Sequence, residues 1–139
     1  MAQLVGLLAK QAQAFAAVTG LALLAISTRL WELAYSGTAT FYADLWPWWF
    51  ATAGILTLMW AVRPESRLLL ATSGAFAVSA MVSRAMAILL QATETAATLT
   101  TPQLHIAGLV WTGLAASLAY IWLTDFRAVS DLIRAGCDG

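Results

Sequence analysis

Arg84 interrupts an otherwise apolar stretch that opens at Leu68 and runs to Leu90. An ionised side chain at the centre of a bilayer costs at least about 2.5–3.5 kcal/mol, so a residue in such a setting is the first candidate for chemistry. At about 1.5 Å per helical residue, Arg84 lies roughly 24 Å along a path of about 30 Å, in the outer third, where arginine can snorkel to the headgroups. Ser73, Ala77, Ala80, Arg84, Ala87 and Gln91 succeed one another at spacings of four and three, which puts them on one small and polar helical face. Ala22, Ala25, Arg29 and Glu32 make a comparable face earlier in the chain, with Glu32 at a depth similar to that of Arg84. An ion pair between Glu32 and Arg84 is therefore expected across a helical bundle, with Asp44 as the competing carboxylate.

Arg84, Glu32, Arg29, Asp44 and His105, with Glu94 nearby in the outer half, form the candidate intramembrane polar site. Such a cluster suits a vestibule, a binding pocket or a proton path, and the plainer alternative is a set of local ion pairs and solvated loop residues. Catalysis has less to stand on. His105 is the sole histidine, and no nucleophile elbow, H-E-x-x-H motif or aspartate pair accompanies it, so it reads as a solvated or helix-capping residue. Cys137 is the sole cysteine; it has no partner for a disulfide or a metal site, and too few residues follow it for prenylation. No catalytic, cofactor-binding or metal-ligating residues are expected, and no cofactor.

The elements that must position these groups follow from composition. The 139 residues are 61% apolar and 10% charged, with a mean hydropathy of +0.79, against about 45–50% apolar and 25% charged in a soluble domain. Four bilayer-spanning helices of roughly 20 residues would use about 80 apolar positions, which nearly exhausts the supply. Seven basic and seven acidic residues cancel, and no run of like charge offers a nucleic-acid footprint.

The expected fold is an all-α membrane protein: four transmembrane helices in an antiparallel bundle, over about 12–33, 45–62, 68–90 and 104–123, making up a domain of residues 1–124. The apolar stretch Leu4 to Ala9 is too short and lacks a preceding basic residue, so it is expected to be retained as a short interfacial turn ahead of the first span. Asp44 and Pro47 are start signals for the second span, and Arg63-Pro64-Glu65-Ser66-Arg67 is a turn so short that spans two and three must form a hairpin. Pro102 suits the first turn of the fourth span. Residues 125–139, with Phe126, Val129, Leu132 and Ile133 at helical spacing, are expected to form a cytoplasmic amphipathic tail lying in the interface.

Lys10, Arg63, Arg67, Arg127 and Arg134 fall on the side of the termini, whereas Arg29, and at most Arg84, fall toward the other, so both termini are expected in the cytoplasm. Trp31, Trp46, Trp48 and Trp49 mark the outer interface, and Trp60 and Trp122 the inner one; Trp111 is deeper. Six Arg against one Lys, with abundant Ala, fits a GC-rich genome and hence a bacterial inner membrane, or a host membrane for a phage-encoded chain.

Small residues recur every fourth position in each span: Ala12, Ala16 and Gly20; Ala53, Thr57 and Ala61; Ala71, Ala75, Ser79 and Ser83; Gly108, Thr112 and Ala116. Such stripes let backbones approach closely, either closing one bundle or meeting another subunit. The expected role is that of a non-enzymatic structural or accessory subunit packing in the lipid bilayer against membrane partners or itself, as a homo-oligomer. The alternative is an oligomeric pore former or small transporter, including a phage holin-like protein. A membrane enzyme using the outer carboxylates and His105 has the least support.

Overall fold

The computed structural model describes residues 2–35, 45–94 and 101–138, and apart from the turn at 63–66 every one of them is helical. Side chains are described for all of these except residues 33–35, 90–94, 101, 102, 104, 137 and 138. The helices are α1 (Ala2–Tyr35), α2 (Leu45–Val62), α3 (Arg67–Glu94), α4 (Thr101–Ile121), a π-helical turn (Trp122–Phe126) and α5 (Arg127–Asp138). Four stretches are long and apolar enough to cross a membrane: Ala2–Glu32, Leu45–Val62, Arg67–Leu89 and His105–Gly136.

α2 occupies the expected residues, with Pro47 in its first turn, where a missing N–H costs no helical bond. Ser66 sets the start of α3. Its Oγ accepts from the Leu69 amide at 3.2 Å while its carbonyl accepts from the Leu70 amide, as a helix cap does.

Two expectations need correction. The segment before residue 12 is not a separate turn, since α1 runs unbroken for 34 residues, about 51 Å, and so overreaches a hydrocarbon core of about 30 Å. Nor is the tail separated from the fourth span by a break in the helix. The Arg127 amide bonds the Trp122 carbonyl through the π-turn and Arg127 keeps helical dihedrals, so α5 continues α4. The wide turn has a physical purpose. Trp122, Phe126 and Ser130 are all buried, and in a regular α-helix two successive steps of four residues would carry the last of them about 80° off the inward face. α5 is thereby held against the start of α1, and Arg67 at the start of α3 binds Asp131 at 2.9 Å.

α1 packs chiefly on α2, α2 on α3 and α3 on α4, with α5 meeting α1 and α3 as well. α1 and α2 cross most closely at Gly20 and Gly54: a Cβ on Gly54 would lie 2.8 Å from the Gly20 carbonyl oxygen, and one on Gly20 would lie 3.0 Å from that of Gly54. Gly54 falls at the middle of α2, so this crossing marks the midplane of the helical stack.

Candidate functional site

The core is built from heptad-like ladders of buried residues, Ala16, Gly20, Leu23, Ser27 and Leu30 on α1 and Trp46, Phe50, Ala53, Thr57 and Trp60 on α2. The α3 stripe of Ser73, Ala77 and Ala80 is buried as well, with Arg84 half-buried at its outer end, so that face does point inward.

The matching face of α1 does not. Ala22, Ala25, Arg29 and Glu32 are all exposed, because the inward side of α1 is already fixed by Leu23, Ser27 and Leu30. The expected pairing of Glu32 with Arg84 is therefore overturned: Glu32 binds Arg29, three residues away on the same helix, at 2.6 Å. Arg84 instead sits over the Trp46 ring, 4.7 Å from its centroid, in a cation–π contact. Its Nε is buried without a hydrogen-bond partner among the described residues.

Levels along the stack explain the separation. Trp46 lies eight residues from Gly54, roughly 12 Å, and the Ser27 hydroxyl donates to the Pro47 carbonyl at 2.6 Å, placing Arg29 about half a turn further along, near the helix ends. Arg29 and Arg84 thus lie at similar levels, but Arg29 and Glu32 are exposed on α1 whereas Arg84 is half-buried over Trp46. His105 is exposed in the second turn of α4. Asp44 lies outside the described residues, as does the side chain of Glu94. Among the described residues no three His, Cys, Asp or Glu side chains converge as metal ligands.

Glu32→Gln provides a direct check on this geometry. Both side chains of the Arg29–Glu32 pair are about two-thirds or more exposed, so thermal denaturation in detergent should register a loss of no more than about 1 kcal/mol. A loss of about 3–5 kcal/mol, the cost of breaking a buried ion pair, would restore the Glu32–Arg84 contact.

A polar arrangement that sequence reasoning missed runs along α3. Trp46 Nε1 donates to Ser83 Oγ at 2.8 Å, Trp49 Nε1 to Ser79 Oγ at 3.0 Å, and Trp122 Nε1 to Ser73 Oγ at 3.0 Å. Each serine hydroxyl in turn lies against the carbonyl three residues back, so one oxygen accepts an indole N–H while returning its own proton to the helix. Three rungs of this kind tie α2 and the π-turn to α3, each worth of the order of 0.6 kcal/mol in an apolar solvent. Trp46 and Trp49 therefore turn inward rather than serving an outer aromatic belt alone. The signal available in the sequence was the coincidence of three serines on α3 with an excess of tryptophan.

A second feature lies between α3 and α4 on the side of the termini. Arg67, Ala71, Gly74, Ala75 and Val78 face Ala119, Trp122, Leu123, Arg127 and Asp131 across a groove of about 480 Å³.

The fold defined by these contacts is that of an all-helical protein with four helices able to cross a membrane. Comparisons with protein-family models, with curated proteins and with solved structures returned no match to this chain.

Proposed function

We propose that the chain is a four-span integral membrane protein, with both termini cytoplasmic, that serves as a non-enzymatic structural or accessory subunit and packs against other membrane proteins or further copies of itself. The single observation carrying this reading is the one-sided attachment of α4. Between Gln103 and Thr124 only Gly108, Ala115, Leu118 and Trp122 are buried among the residues whose side chains are described; Leu109, Gly113, Ala116, Ser117 and Tyr120 lie open. A helix face that mixes small residues with large apolar ones suits close helix–helix packing in lipid, and a Cβ at Gly113 would meet nothing within 4 Å.

The second reading, a pore former or small transporter, finds partial support in the polar face of α3. That face is occupied by indoles from Trp46 and Trp122, which favours a pore between copies over a path through one chain.

Two measurements test the proposal. The chain should stay in the membrane pellet after alkaline carbonate, and Cys137, the sole cysteine, should react with a membrane-impermeant maleimide only after the cells are opened. Labelling of Cys137 in intact cells would overturn the orientation. In a Cys137→Ser background, Gly113→Cys should form oxidative cross-links to a second copy or to a stoichiometric subunit while Ala115→Cys, on the buried face, should not. Failure of both to cross-link, with a monomer in mild detergent, would sink the subunit role. Collapse of the membrane potential on expression would favour the pore.

A further inference from the structure

We propose that the groove between α3 and α4 is a binding site for one anionic phospholipid of the leaflet on the side of the termini. Its long walls are apolar, with small Ala71, Gly74 and Ala75 on α3 and Ala119 on α4 among the larger Leu70, Trp122 and Leu123, and its volume of about 480 Å³ lies in the range of small-ligand pockets. At Gly74 the α3 backbone rests directly on Trp122, where a Cβ would come within 2.6 Å of the indole, while Ala71 and Ala75 are exposed beside it.

Charge and depth decide the occupant. Arg67 and Arg127 stand together at one end, Arg67 held by Asp131 at 2.9 Å and Arg127 exposed without an ion pair among the described residues. Two guanidinium groups against one carboxylate leave that end net positive. From Arg67 to Val78 the groove follows α3 for about 16 Å, the depth of one leaflet of a hydrocarbon core of about 30 Å. Its apolar end, at Val78, lies beyond the Ser73–Trp122 rung near the middle of the span Arg67–Leu89, and its cationic end reaches the turn that joins α2 to α3. A molecule with acyl chains toward the midplane and an anionic headgroup at the helix ends matches both features. A packing helix from another subunit would match the apolar walls but would need an acidic end at the same level. Basic clefts between membrane helices are a recurrent means of holding anionic headgroups.

The inference rests on the membrane reading above and not on the subunit role, and the two fail separately. Loss of the chain from the carbonate-washed pellet would defeat the membrane reading itself. The test of the groove is native mass spectrometry of the full chain in detergent, with phosphatidylglycerol or phosphatidylcholine of identical acyl chains added. One phosphatidylglycerol should bind at least about fivefold more tightly than phosphatidylcholine. Arg127→Gln and Arg67→Gln should each weaken it by about fivefold, the order of attraction that one basic side chain adds at an anionic surface. Ala75→Phe, or the milder Ala71→Leu, should fill the groove and remove the first adduct of both lipids, with helicity and elution volume confirming that the variants fold. Equal binding of the two lipids, or phosphatidylglycerol binding untouched by both groove-filling variants, would overturn the assignment. Displacement by millimolar inorganic phosphate would reassign the cationic end to a free anion, and loss of a dimer in Ala75→Phe would give the groove to a second copy.

Discussion

Gly54→Leu is expected to cost about 3 kcal/mol or more of stability in detergent, read as a fall in melting temperature or in the denaturing fraction of dodecyl sulfate. The Cβ alone would sit 2.8 Å from the Gly20 carbonyl oxygen and 2.8 Å from Leu24 Cγ. A carbonyl cannot swing aside as a flexible side chain can, so α1 and α2 must separate along their whole shared length. Overpacking a tight contact costs roughly 1–3 kcal/mol even where side chains can rearrange, and lipid supplies no hydrophobic drive to restore the contact after the backbones part. Gly6→Leu is the control, because no atom lies within 4 Å of the added Cβ. If the two substitutions destabilise equally, the Gly20–Gly54 crossing is not a close backbone contact.

Phe126→Ala should be comparably damaging, by about 3–5 kcal/mol, and should loosen α5 from the rest of the chain. Phe126 is 1% exposed and is the hub of an aromatic cluster, stacked on Trp60 at 4.6 Å and meeting Trp122 edge-on at 4.9 Å and Phe15 at 6.1 Å. Those partners come from α2, the π-turn and α1, so one truncation opens a cavity where the termini-side ends of the helices converge. Proteolysis should then cut between Thr124 and Gly136 well before it cuts elsewhere. Leu123→Ala, on a side chain 67% exposed, should shift stability by no more than about 0.5 kcal/mol. Similar losses from both would mean that the cluster does not hold α5.

Some of this architecture was legible in the chain. The bounds of α2 were readable because Pro47 and the Arg63–Arg67 turn are local signals, acting through a missing amide and through the hydration of charge. The inward face of α3 was readable from the spacing of Ser73, Ala77, Ala80 and Arg84, since a small polar stripe on an apolar helix seeks the interior. The partner of Arg84 was not. Glu32 was placed at the right depth, but depth follows from residue count alone, whereas contact needs the rotation of α1 about its axis. That rotation is set by Leu23, Ser27 and Leu30 docking on α2, and it carries Glu32 outward to Arg29.

The same distinction separates the charges on the two sides. Arg67 and Arg127 served the sequence only as markers of orientation, because they are 60 residues apart and in different elements. The π-turn brings them together by keeping Trp122, Phe126 and Ser130 on one face, and no local pattern in Trp122–Phe126 announces a widened turn.

What the sequence determined by itself was the number of segments long and apolar enough to cross a membrane: apolar content and run length answer to transfer free energy, which is summed residue by residue and needs no neighbour in space. What only the tertiary structure decided was which faces meet. Arg84 rests on an indole, three serines hold three tryptophans, and two distant arginines share one groove because backbone contacts such as Gly20 with Gly54 fix the azimuth of every helix at once. That azimuth is a property of pairs of helices, and a single helix does not carry it.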